Sequence, residues 1–208
     1  MKKINNQTEQ SFSHNLAEII SWAFFPPLVA TVFFVFLTFW YSSDLSEGFS
    51  WLVTVSPFLI FVPLIFFAVS YKLGWVSDID LTERKERPLF LVVFVSSLLV
   101  LSLTLYFLKV PEKFFVYAFS GLIMTAIASI ITLYWKISFH TAITGSVVMA
   151  ILILGGLRFW PLILLAPIVG WSRVILGKHS VWQVTGGTLL SFFVTYLIFH
   201  FFNYRFFY

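Results

Sequence analysis

"GWSRVILGKHSVWQVTGG", residues 170–187, sets an arginine, a lysine, a histidine and a glutamine into an otherwise apolar region. How it is read decides whether one or two helices cross the membrane here. The uncharged run before it, Phe159–Ser172, has only 14 residues, short of the roughly 20 that a spanning helix needs. It reaches that length by continuing through Arg173 to about Leu176. Gly177 then suits the left-handed residue that ends a helix. Ser180 and Gln183 have the spacing of a capping box that opens the next one. The run from Ser180 to Tyr204 is long enough to span by itself. A charge at mid-bilayer costs about 2.5–3.5 kcal/mol on insertion scales, so even near an interface Arg173 needs a reason to be there.

The rest of the chain agrees with a membrane setting. Its 208 residues are 60% hydrophobic, 21% aromatic and only 11% charged, where soluble domains carry about 25% charged residues. The net charge of +4 is too sparse for nucleic-acid binding and fits lipid headgroups or an anionic substrate. The absence of cysteine excludes disulfides, thiolate catalysis and cysteine-ligated metals. Ile19–Ser43 runs 25 residues without a charge, longer than the about 7–15 of a signal-peptide core. Further uncharged runs are Trp51–Tyr71, Leu89–Leu108, Phe114–Trp135 and Ile137–Leu157. With the two runs flanking Arg173, seven spans are predicted, with six as the rival count. Backbone groups in lipid must be satisfied internally, so the spans are helices. A barrel would need short alternating segments of about ten residues. The expected fold is an all-α, polytopic transmembrane bundle, one domain from residue 17 to 208 behind a polar segment 1–16. Phe-Pro-Pro at 25–27 and Pro63 are predicted to kink the first two helices.

Seven spans place the N-terminus and loops 72–88, 136–140 and 173–179 on one face. That face holds nine basic residues: Lys2, Lys3, Lys72, Arg84, Lys85, Arg87, Lys136, Arg173 and Lys178. The other holds four: Lys109, Lys113, Arg158 and Arg205. By the positive-inside rule the first is cytoplasmic, although setting aside Arg84, Arg87, Lys136, Arg173 and Lys178 as chemical groups leaves four against four.

Three polar clusters thus share a face. In "SDIDLTERKERP", residues 77–88, Asp80 and Glu83 fit a capping box, and Arg84 and Arg87 fall on one helix face, as bidentate phosphate binding would use them; a basic loop gripping anionic lipid is the plainer reading. In "KISFHT", residues 136–141, His140 stands beside Ser138 and Lys136. A histidine there serves as a cap, a headgroup contact or a general acid–base. In the opening stretch a break at Gly177 lets Arg173 and His179 converge, which an unbroken helix would prevent. The helix start beside His179 favours a bound phosphate. Gln183 has two open roles, capping partner or acceptor for His179 Nδ1–H.

With these residues the chain resembles the type 2 phosphatidic acid phosphatase (lipid phosphate phosphatase) superfamily, whose signatures run KxxxxxxRP, PSGH and SRxxxxxHxxxD. Arg87-Pro88 matches the end of the first, Ser138 and His140 match the second, and Ser172-Arg173 with His179 matches the third. The likeness spans roughly residues 72–187, and its third motif is the most specific. It implies hydrolysis of a lipid phosphate or diphosphate without a metal or other cofactor, on substrates of the phosphatidic acid, phosphatidylglycerophosphate or prenyl diphosphate class. His179 would be the nucleophile and His140 the acid–base, with Arg87, Arg173 and Ser138 on the phosphoryl oxygens. Asp80 stands where the first motif has lysine, leaving Arg84 or Lys136 to supply that cation. Ile137 and Phe139 replace the Pro and Gly of the second. Gln183 replaces the aspartate that orients the nucleophile; its carbonyl can accept from Nδ1–H but carries no charge to stabilise an imidazolium. The competing readings are a magnesium-dependent lipid-headgroup transferase, for which Asp78 and Asp80 are the one close pair of aspartates, and a lipid carrier or inactive lipid-phosphate binder.

Overall fold

The computed structural model describes residues 2–79 and 81–204, with side chains from residue 11 onward. Among the described residues there is no strand, and the α-helices are α1 (Lys2–Ala23), α2 (Pro26–Tyr41), α3 (Leu45–Ser56), α4 (Val62–Lys72), α5 (Arg87–Phe107), α6 (Glu112–Tyr134), α7 (Phe139–Gly155), α8 (Leu165–Ile175) and α9 (Val181–Phe201). Five stretches are long and apolar enough to cross a membrane: Leu45–Lys72, Arg84–Phe107, Glu112–Tyr134, Leu157–Ile175 and Val181–Phe201. The pair α1–α2, bent by 45°, counts as a sixth if taken as one span, and α7 is an apolar helix of 17 residues. The chain is a helical protein of membrane character.

The prolines act where the sequence places them, in ways that differ from simple kinks. Pro26 forces Phe25 into an extended conformation (φ −60, ψ 126), because the residue before proline is barred from the helical region. The first apolar run is therefore two helices. Ile19–Ala23 belongs to α1, which also takes in residues on both sides of the expected boundary at residue 16. α1 packs on α8, burying Ala17 and Ser21. In the second span the irregularity is a π turn at Pro57–Phe61, just before Pro63. Val62 N–H reaches back to the Pro57 carbonyl, and Pro63 has no N–H to give. The Phe58 carbonyl is left without a donor in its own helix and takes one from α5, the Ser97 hydroxyl at 2.6 Å.

α7 lies at the centre, packed against α2, α8 and α9. Its contact with α9 is close because α9 presents a glycine there: a Cβ on Gly187 would stand 2.6 Å from the Ser138 carbonyl. Hydroxyls join the two helices, with Thr141 Oγ1 donating to the Val184 carbonyl at 3.0 Å and Thr195 Oγ1 to Ser146 Oγ at 3.0 Å. Such small and hydroxylic contacts are how helices associate where apolar burial gives no preference over lipid.

The stretch 170–187 folds as two helix ends back to back. A 3-10 segment, Leu157–Leu164, runs into α8, which carries Arg173 in its last turn. Gly177 is left-handed (φ +65). Its N–H donates to the Val174 carbonyl at 3.0 Å and Lys178 N–H to the Arg173 carbonyl at 3.0 Å, the paired bonds of a Schellman motif. Ser180 and Gln183 then form the expected capping box of α9.

Loop 73–86 differs from expectation. Glu83 precedes a 3-10 turn, Arg84–Glu86, and caps nothing with its side chain; the proposed partner Asp80 lies outside the described residues. The capping there is done by others: Glu86 Oε2 accepts from the N–H and hydroxyl of Ser77, both at 3.0 Å, and Asp78 accepts from the Thr82 hydroxyl at 3.1 Å. The side chains of Lys2 and Lys3, and Arg205, are likewise outside the described residues.

Candidate functional site

Arg87, His140, Arg173 and His179 meet at one end of a cavity of about 210 Å³. They are 4%, 5%, 2% and 7% exposed. The walls leading away from them are apolar and largely aromatic, including Phe25, Phe67, Phe90, Phe94 and Ile143. Each polar group comes from a helix end: Arg87 opens α5, His140 is the second residue of α7, Arg173 sits in the last turn of α8, and His179 stands just before α9. Three helix N-termini (α5, α7 and α9) therefore point their positive ends at this region.

The tautomer of His179 follows from its neighbours. Gln183 Oε1 accepts from Ser180 N–H at 3.1 Å. A backbone N–H can only donate, so the amide atom it meets is the oxygen. The same oxygen lies 3.2 Å from His179 Nδ1, which must then carry a proton. Nε2 is left with its lone pair bare. Both roles that the sequence left open for Gln183 are thus filled by one atom. Burial, the main cause, together with Arg87, Arg173 and Lys136 pushes the His179 pKa down to about 3, against the smaller opposing effect of Gln183. The imidazole stays neutral across the physiological range.

His140 has the same polarity. Its Nε2 has no partner among the described residues, and the ring is hydrogen-bonded to the Ser21 backbone. That bond falls to Nδ1, again leaving Nε2 open. Arg87 is held by two backbone carbonyls, Nε to Leu81 at 2.8 Å and Nη1 to Ile137 at 3.3 Å. Leu81 is left-handed (φ +49), an uncommon conformation for a branched side chain.

The remaining candidates lie around this core. Arg84 is parted from Arg87: it is exposed, and its Nη1 donates to the Tyr134 carbonyl at 2.8 Å. Tyr134 ends α6, where carbonyls lack helical partners, and this attraction takes the guanidinium away from the cavity. Lys136 does not line the cavity, yet it is close enough to depress His179. Its own pKa lies below the usual lysine range, from burial first and then from Arg87. Ser138 is fully buried and precedes α7, with its N–H on the Gln183 carbonyl at 3.3 Å. Its Oγ has no partner among the described residues and is not part of the cavity wall. Lys178 Nζ donates to Thr82 Oγ1 at 3.0 Å, tying the α8–α9 turn to loop 73–86.

Sequence reasoning missed Ser21, Phe25 and Leu81. Ser21 hydroxyl accepts from Arg173 Nη1, and the Phe25 ring centroid lies 6.2 Å from that of His140. Only the Phe-Pro-Pro sequence hinted that this segment turns.

An arrangement of two guanidiniums and two imidazoles with open Nε2 atoms, at one end of an apolar cavity, can bind an anion on an apolar tail, attack it and pass protons. No protein-family model, no curated protein and no solved structure matches this chain.

Proposed function

We propose that this protein is an integral-membrane phosphatase for lipid phosphates or diphosphates, working through a phosphohistidine. The observation that carries the proposal is the meeting of Arg87, Arg173, His140 and His179 at the polar end of one apolar cavity. The cavity suits a lipid tail and the cations its phosphate. The motif spacing of Arg173 and His179 supports the same reading.

In this mechanism His179 Nε2 attacks phosphorus and the bond from phosphorus to the lipid-side oxygen breaks. His140 Nε2 takes the proton of the bound phosphate monoanion and gives it to that leaving oxygen. Water then attacks the phosphohistidine, His140 takes the water's proton, the P–N bond breaks, and the proton leaves with the released phosphate. Arg87 and Arg173 hold the oxygens on which charge gathers in the in-line transition state. Gln183 keeps the proton on Nδ1 in both steps. Because its amide is neutral, it favours substrates with a good leaving group, such as a diphosphate. The count of basic residues supports a cytoplasmic side for this face, which tag accessibility at loop 72–88 would test.

The test is phosphate release in detergent from phosphatidic acid, phosphatidylglycerophosphate and prenyl diphosphates. The wild type is expected to act on at least one, and His179→Ala to lose about 10⁴-fold or more, as nucleophile deletions do. Equal activity in the variant, abolished in both by EDTA, would sink this mechanism and favour the magnesium-dependent transferase. A second reading rests on the uncharged Gln183: a wild type that binds orthovanadate but releases phosphate from none of the three is a lipid-phosphate binder without turnover.

A further inference from the structure

We infer that α1 belongs to the site and that Ser21 is a positioning residue for Arg173 and His140. The inference rests on the phosphatase reading for its kinetic consequence, and on anion binding alone for the rest.

The Pro26–Pro27 pair stops α1 and turns it 45° from α2. α1 then lies against α8, with Ala17 fully buried at the contact and Ser21, one turn on, 7% exposed. From there Ser21 serves two groups. Its hydroxyl accepts from Arg173 Nη1, and its backbone bonds the His140 ring.

The chemistry of these two contacts differs. Arg173 hangs from the last turn of α8 on a flexible stem. A hydroxyl orients one of its nitrogens without itself supplying negative charge. A carboxylate at the same place would compete with phosphate for that charge. The bond to His140 comes from the backbone and holds the proton on Nδ1, as Gln183 does for His179. α1 also carries an exposed stripe of Phe12, Leu16, Ile19 and Trp22, a face suited to lipid.

Full-length Ser21→Ala, Ser21→Thr and, as a control on the exposed side of α1, His14→Ala would be compared for orthovanadate affinity and for kcat and KM on the lipid that the wild type hydrolyses. Ser21→Ala is expected to weaken vanadate and lower kcat by about ten-fold each, the loss of a hydrogen bond to a charged group, with KM within two-fold. Ser21→Thr restores both, and His14→Ala matches the wild type. Wild-type vanadate affinity in Ser21→Ala overturns the proposal. So does a Ser21→Thr variant as impaired as Ser21→Ala, which would mark Ser21 as mere packing. If the wild type hydrolyses no lipid, the phosphatase reading fails while the vanadate comparison still decides the role of Ser21. A wild type that binds no vanadate overturns both.

Discussion

The turn between α8 and α9 and the loop between α4 and α5 bring cations to the same cavity by opposite means. In the turn, the bonds that fix Arg173 and His179 mostly run between residues three to six apart: Gly177 to Val174, Lys178 and His179 to Arg173, and Gln183 to His179 and Ser180. In the loop, the arginines also reach far along the chain. Arg84 bonds Tyr134, and Arg87, besides its local bond to Leu81, bonds Ile137, both 50 residues away, and Thr82 meets Lys178 across 96. A site element closed by its own caps can form as soon as its helices do. One held by distant carbonyls takes its shape only from the assembled bundle.

Arginine substitutions test that contrast most severely. Arg84 and Arg87 have the spacing of a matched pair, yet only Arg87 lines the cavity. Arg87→Ala is expected to lower kcat/KM by about 10²–10³-fold, the range for removing one preorganised transition-state donor. Arg84→Ala should stay within about three-fold, as expected for an exposed bond. Similar losses in the two would mean that the loop moves Arg84 into the site when substrate binds.

Next in size is Gln183, on the local side of the comparison. Gln183→Leu removes the acceptor that holds the His179 proton on Nδ1, and a loss of about 10²-fold is expected, smaller than the about 10⁴ seen when a charged orienter is replaced in a serine protease. The pH dependence carries a sign. With its pKa pushed down to about 3, His179 remains a bare base as pH falls through the ordinary range and is lost only near that value. Labelling of His179 by diethyl pyrocarbonate should therefore change by no more than about two-fold between pH 7 and pH 5. A histidine at the usual value near 6.5 would lose about 25-fold of its reactive form over that interval. Gln183→Glu places a negative charge beside the ring and should move the loss to higher pH.

These contrasts explain how much of the molecule was legible in the sequence. Most of the helices were, because long uncharged runs leave the backbone no other partner; the break of the first run into α1 and α2 was not. Gly177 and the Ser180–Gln183 box were legible too, since caps are written within a few residues. The side on which Phe-Pro-Pro turns α1 was not: proline forbids the helix but does not choose a direction, and packing on α8 does. That hid Ser21. Arg84 and Arg87 looked like one face because spacing counts residues, whereas the end of α6 offers a carbonyl that spacing cannot reveal. Leu81 gave no sign of its left-handed backbone, which sequence reading associates with glycine or asparagine.

Gly177→Ala separates the two regions at the level of stability. A Cβ there would meet nothing within 4 Å, so the penalty is that of the left-handed backbone itself, about 1–2 kcal/mol. The expected result is a Tm lower by a few degrees with activity down only a few-fold, measured in the same detergent. A loss of activity without loss of Tm would mean that the Schellman turn has reopened and taken His179 out of line with Arg173.

The smallest expected effect is the most direct test of whether turn and loop are independent. Thr82 accepts from Lys178 and donates to Asp78, and so links loop 73–86 to the α8–α9 turn. Thr82→Val keeps the shape and removes both bonds. Each is partly exposed, so together they are worth about 1 kcal/mol. The turn is closed by its own backbone and should keep His179 where it is, leaving kcat within about two-fold. The loop should loosen over the cavity, where Ile79 and Leu81 form part of the wall, and raise KM for a lipid substrate by about two- to five-fold. A fall in kcat to the level of Arg87→Ala would instead show that the turn depends on the loop, because Lys178 would then be what holds the chain on either side of His179.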